Sequence, residues 1–173
     1  MKKKIFFSTL LLFAVFNLKA IGEDTITYRS KRYLDWSDFK MSPNSNSSLK
    51  VKLDLTITTF NKKVNVLWGT VTVESYAGIR RDLSWVKPQY KSQQLLNYIQ
   101  LKYEIANYFA IKTEKEINRK KINAASTKKI SKIIESHINA MNSTFEEYDI
   151  ETDFGINTEI VNQWKVKLKN GEI

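Results

Sequence analysis

The spacing of the apolar residues changes once along the chain, and the change falls at Pro88. Before it, the stretch LKVKLDLTI sets Leu49, Val51, Leu53, Leu55 and Ile57 against Lys50, Lys52, Asp54 and Thr56. Strict alternation is the pattern of a strand with one face buried. After it, Leu95, Tyr98, Ile99, Ile105, Ala106 and Phe109 recur at three- and four-residue steps, which stack side chains on one face of a helix. Pro88 also holds Lys87 in extended geometry and so separates the two regimes. Strands first and helices afterwards predict an α+β domain, with helices packed against an antiparallel sheet.

Within that frame, Asn61-Lys62-Lys63 predicts a turn into VNVLWGTVTVE (64–74), giving an antiparallel hairpin in which Gly69 marks a bulge. DLSWV (82–86) adds a short strand to the meander. About three helices follow: one over Leu95–Lys112, one from an N-cap at Ser126 through Ile130, Ile133, Ile134, Ile138 and Met141, and one from Asn157 through Ile160, Val161, Trp164 and Leu168, ending before Gly171. YLDWSDFK (33–40) and the MSPNSNSS that follows read as loop, with Asp35 and Asp38 as turn and capping groups.

Residues 1–20 carry a targeting pattern: Lys2-Lys3-Lys4, then IFFSTLLLFAVFNL, then Lys19-Ala20. This is the pattern of a secretory signal peptide, and its apolar run is shorter than the roughly 20 residues of a membrane span. The expectation is an exported protein, periplasmic or secreted, whose mature part (21–173) is one α+β domain with a single core and no transmembrane segment. Leaving Lys2, Lys3, Lys4 and Lys19 with the leader lowers the formal net charge from +10 to +6. The remaining basic residues are interspersed with acidic ones, as in KTEKEINRKK (112–121), so no basic stripe for nucleic acid is expected. The chain has no cysteine, which excludes disulfides, a thiol nucleophile and thiolate metal sites.

The feature that needs explaining is Lys102, which interrupts the apolar row of the first helix. An unpaired ammonium costs several kcal/mol to bury. It therefore lies at a cleft, pairs with a carboxylate, or snorkels to solvent. EEYDIETD (146–153) supplies candidate partners in Glu147, Asp149, Glu151 and Asp153.

Several segments in order, Leu34-Asp35-Trp36-Ser37-Asp38-Phe39, Ser84-Trp85-Val86, the helix from Leu95 to Ile111, and Tyr148-Asp149-Ile150-Glu151-Thr152-Asp153-Phe154-Gly155 with Trp164 beyond, resemble a family of bacterial secreted proteins of unknown function described as predicted zinc-dependent proteases. In that family the helix carries His-Glu-Gln-x-His and the later segment Thr-x-His-Gly. Two imidazoles four residues apart on one helical face hold Zn²⁺, and the glutamate activates its water. In this chain Tyr98 stands at the first histidine, Ile99 at the glutamate, Gln100 at the glutamine, Lys102 at the second histidine and Phe154 at the third. Thr152 and Gly155 are retained. The resemblance thus implies a zincin-like helix without its metal ligands, and no metal or cofactor is expected. Lys102 then occupies a former ion site, with Tyr98 or Phe154 adding a cation–π contact.

This reading implies a degenerate, non-catalytic domain that binds a peptide, a protein or a cell-envelope component. The alternative is a secreted metal-dependent hydrolase with a non-standard site built from Tyr98, Lys102, Glu104 and His137. His137 is the one histidine of the chain, and its position beside Ile138 reads as half-buried and structural. Ser37 and Ser84 lack a glycine-flanked elbow. A third reading is a structural envelope protein whose basic surface touches anionic lipid or polymer.

Overall fold

The computed structural model describes residues 24–173, so the signal-peptide reading of residues 1–20 lies outside the described residues. The architecture is α+β. Five strands come first, β1 (Thr25–Thr27), β2 (Val51–Lys52), β3 (Leu55–Val64), β4 (Val71–Arg80) and β5 (Trp85–Val86), and three helices follow, α1 (Gln93–Lys120), α2 (Thr127–Glu151) and α3 (Thr158–Asn170). The main sheet has the order β1-β4-β3, all antiparallel, and β2 pairs with β5 in a separate two-stranded ribbon. Among the described residues, no helix is long and apolar enough to cross a membrane.

The central strand β4 alternates as a strand under a helix must. Val71, Val73, Ser75, Ala77 and Ile79 are buried, and α1 lies across them. Ile99, Tyr103, Ile105, Ala106 and Ala110 fill the space beneath α1, and Met141, Tyr148, Val161 and Trp164 bring α2 and α3 onto its other sides. A smaller cluster of Val71, Val73, Ile117, Ile122, Ile130 and Ile133 closes the far end. Complete burial of each such side chain contributes about 1.5–3 kcal/mol.

β1 pairs with β4 from Thr25↔Arg80 to Thr27↔Gly78, so among the described residues the rest of that β4 edge has no strand neighbour. Side chains of α1 take its place. Val73 N–H donates to Asn118 Oδ1 (2.8 Å), Ser75 N–H donates to Glu114 Oε2 (2.9 Å), and Asn118 Nδ2 donates back to the Val73 carbonyl (3.0 Å). Polar residues on the α1 face thereby satisfy backbone groups that would otherwise be buried unpaired.

The structure corrects the sequence reading in four places. The strand expected over 49–57 is broken at Leu53-Asp54, and its halves join different sheets as β2 and β3. Asn61-Lys62-Lys63 is not a turn but the end of β3, where the register shifts between Asn61 and Lys63. The bulge is therefore here and not at Gly69. The chain reverses over residues 65–70, where Asn65 Oδ1 accepts the N–H of Leu67 and Trp68, and Gly69 takes φ +63°. Fourth, α2 runs ten residues beyond Met141 to Glu151.

The caps follow chemistry. Ser92 accepts from Leu95 N–H at the start of α1, Asn157 accepts from Ile160 N–H at the start of α3, and Gly171 ends α3 in the left-handed region. Ser126 precedes α2 without a side-chain capping bond. Asp35 and Asp38 form a reciprocal capping box around a single 3₁₀ turn, Trp36–Asp38.

Surface ion pairs give the fold an acid limit. Lys31, and after it Ser37, holds Asp35 down to about 2. Hydrogen bonds from Lys120 and then His137 hold Glu116 below the usual carboxylate range. Lys40 does the same for Asp24 and Lys62 for Glu74. A depressed carboxylate contributes its full stability above the unfolded-state value and loses it as the pH falls through the folded one. Thermal midpoints should therefore hold steady down to about pH 4.5 and fall between there and pH 2. Because Asp35 is 57% exposed, its share is at most about 1 kcal/mol. Melts across this range at low and high salt check it, and a flat profile at low salt would contradict the assignment.

Candidate functional site

The Lys102 ammonium is paired and largely buried. Its Nζ lies 2.8 Å from both carboxylate oxygens of Asp149 on α2, with the two side chains 16% and 21% exposed. Tyr98, one turn earlier on α1, donates its hydroxyl to Asp149 Oδ1. The ammonium also sits 4.9 Å from the Phe145 ring centroid and 5.7 Å from that of Tyr98. A bidentate carboxylate and two aromatic rings offset the desolvation that would expel a lone charge.

The phenols pack around this pair. Tyr98 stacks on Tyr148 with centroids 5.1 Å apart and planes at 14°, and Tyr148 meets Trp164 of α3 edge-on at 5.3 Å. Tyr148 donates to the Tyr98 carbonyl (3.2 Å), and Trp164 Nε1 donates to Glu151 Oε2 (2.7 Å). Burial, and next the hydrogen bond to Asp149, pushes the Tyr98 phenol well above its ordinary value; burial does the same for Tyr148. Neither phenol serves as a phenolate base at neutral pH.

A three-residue turn with φ of +48°, +51° and +86° at Asp153, Phe154 and Gly155 ends the α2 segment. Phe154 N–H donates to the Asp149 carbonyl (2.8 Å), and Asn157 N–H to the Thr152 carbonyl (2.9 Å). Gly155 rests on the Tyr98 ring, where an added β-carbon would lie 2.6 Å from Tyr98 Cγ. Gln94 Nε2 fixes the turn through the carbonyls of Gly155 and Ile156, both at 2.9 Å.

Of the residues singled out from sequence, Tyr98, Lys102 and Asp149 converge. Ile99 is fully buried in the core. The Phe154 backbone closes the turn beside the site, but its side chain is 57% exposed, so the expected cation–π role passes to Phe145. Glu147 and Asp153 are exposed. Glu151 serves Trp164, and Glu104 accepts from Gln100 Nε2 (3.0 Å). Gln100 also accepts from Leu34 N–H (2.9 Å) and donates to the Arg32 carbonyl (3.0 Å), which seats the N-terminal loop on α1.

The alternative constellation does not assemble. His137 Nε2 lies 2.9 Å from Glu116 Oε2. Glu116 is fourteen residues beyond Lys102 on α1, about 21 Å along the axis. Ser84 is fully buried, donating to the Arg80 carbonyl and accepting from Asp54 N–H. Among the described residues, no three His, Cys, Asp or Glu side chains are grouped as metal ligands.

The sequence reading gives Phe145 no part and names Tyr148 only within the resemblance, because it follows the helical spacing of α2 no further than Met141. Continued helical spacing puts Phe145, Tyr148, Asp149 and Thr152 on one face, and that row selects Asp149 from the four candidate carboxylates. The arrangement is a closed ion pair within an aromatic stack, and its chemical capacity is to lock α1 to α2. No family model matches the chain, and neither a curated protein nor a solved structure is significantly similar to it.

Proposed function

We propose that this chain is an exported, catalytically degenerate zinc-protease-like domain that acts as a binding or structural protein of the cell envelope or the medium. The observation that carries the reading is the Lys102–Asp149 pair with the Tyr98 hydroxyl on the same carboxylate. On the resemblance, Tyr98 and Lys102 stand where two imidazoles would face a metal. One fixed ammonium stands where an imidazole would bind Zn²⁺, and the one carboxylate beside it is engaged by that ammonium and by the Tyr98 hydroxyl rather than free to bind a metal or activate its water. A fold persists when its chemistry is lost, and what remains for it is recognition or support.

The expected result for protein purified without added metal is zinc far below one equivalent by elemental analysis, and no cleavage of a mixed peptide library. Chelator-sensitive peptidase activity would instead favour a metal-dependent hydrolase. Stoichiometric zinc alone would be enough to end the degenerate reading.

A further inference from the structure

The end of β3 runs past the core, and its connection to β4 ends in an apolar tip. Val66 and Leu67 are each 89% exposed, and Trp68 is 76% exposed. The tip is held in shape from behind. Asn65 N–H donates to the Thr70 carbonyl (2.8 Å), Ala124 N–H donates to the Gly69 carbonyl (2.8 Å), and Val71 N–H donates to the Ile122 carbonyl (2.9 Å). Three large apolar side chains are thus presented to solvent on a braced support, which is how a surface made for contact differs from scattered exposed residues.

The same bonds bring the end of α1 and the start of α2 to the base of the tip. The first turns of α2 also line a cavity of about 40 Å³ with Thr59, Asn61 and Val71. The segments that build this end are basic. Between Asp54 and Glu74, and again between Glu116 and Glu135, the sequence holds no acidic residue. Exposed Lys63, Arg119, Lys121, Lys128 and Lys129 lie in these segments, and none is in a salt bridge among the described residues. Lys62 pairs with Glu74 and Lys120 with Glu116.

We propose that this end of the molecule docks on an anionic lipid bilayer, with Val66, Leu67 and Trp68 entering the headgroup–acyl boundary and the surrounding cations resting on the lipid phosphates. Indole is favoured at that depth because its ring is apolar and its N–H stays wet. Unpaired lysines near the surface respond to its negative potential. A convex three-residue tip offers far less than the roughly 1,000 Å² that a stable protein interface needs, whereas insertion into lipid combined with charge attraction needs no matching concavity. The proposal does not rest on the α1–α2 site and stands whatever that site once held.

The test uses the full chain with vesicles of phosphatidylcholine alone or mixed equally with phosphatidylglycerol, some carrying brominated acyl chains. Of the four tryptophans, Trp85 and Trp164 are buried, Trp36 is half-buried against the core, and the N-terminal twenty residues contain none. Bromine quenching that disappears in Trp68→Phe therefore reports the tip itself. The expected result is such quenching on anionic vesicles, weakened by salt. Binding should fall about tenfold in Leu67→Ser/Trp68→Ser and should weaken again in Lys63→Gln/Lys121→Gln/Lys128→Gln. All these positions are exposed, and unchanged melting temperatures verify the fold. Vesicle binding without quenching at Trp68, equal binding to neutral and anionic lipid, or a concentration-dependent dimer abolished by Trp68→Ser while vesicle binding persists would each overturn the proposal.

Discussion

Replacing Asp149 with alanine should destabilise the protein by about 2–4 kcal/mol, because it strands an ammonium and a phenol together in the α1–α2 interface. The range sits below that for a fully buried pair because both side chains keep some water, at 16% and 21% exposure. Lys102→Met should cost less. The methionine fills the space beside Phe145, and Asp149 keeps the Tyr98 hydrogen bond. The double variant Lys102→Met/Asp149→Leu should recover most of the Asp149→Ala loss, since an apolar pair of similar volume replaces a desolvated one. Denaturant melts of the parent protein and the three variants test this order of stabilities. A loss under about 0.5 kcal/mol for Asp149→Ala would mean that Lys102 snorkels freely and that the pair is incidental.

The second large effect is expected in alkali. Tyr98, Tyr103 and Tyr148 are almost fully buried, and burial raises all three phenols above the ordinary value of 10.0. A raised folded-state value contributes stability that is complete below the unfolded value and declines as the pH climbs past it. Each tyrosine then removes about 1.4 kcal/mol per pH unit, and the three together about 4. A domain of ordinary stability, roughly 5–15 kcal/mol, reaches its midpoint between about one and four units above pH 10. Phenolate absorbance and far-ultraviolet circular dichroism followed together should show these three ionising only as the helices are lost. Tyr148→Phe should reduce the slope by about a third. Reversible ionisation of all three near pH 10 with the helices intact would contradict the packing described.

The elements legible from sequence were those whose two faces differ. The α1 stripe and the inward alternation of β4 stand out because one side meets the core and the other meets water. The end of β3 was misread for the same reason. From Phe60 to Val64 every residue is exposed, so the alternation fades, and two lysines beside Asn61 resemble a turn. β1, three residues long, is too short to carry a period at all. In the site, helical spacing placed Lys102 inward, and composition supplied four carboxylates for it. Choosing among them required the phase of α2, which depends on knowing that the helix continues past Met141. The substitution of Asn118 and Glu114 for a missing strand neighbour was not legible, because it joins residues about 40 apart in the chain and has no local signature.

The seat of Gly155 on the Tyr98 ring has an evolutionary corollary. No β-carbon fits there while the ring stays, so drift at either position is constrained by the other. Sister chains that keep an aromatic at the first should keep glycine at the second, and a bulkier residue at the second should appear only with a smaller one opposite. That paired exchange, not any metal-binding motif, is the fingerprint by which distant sisters of this chain are to be recognised.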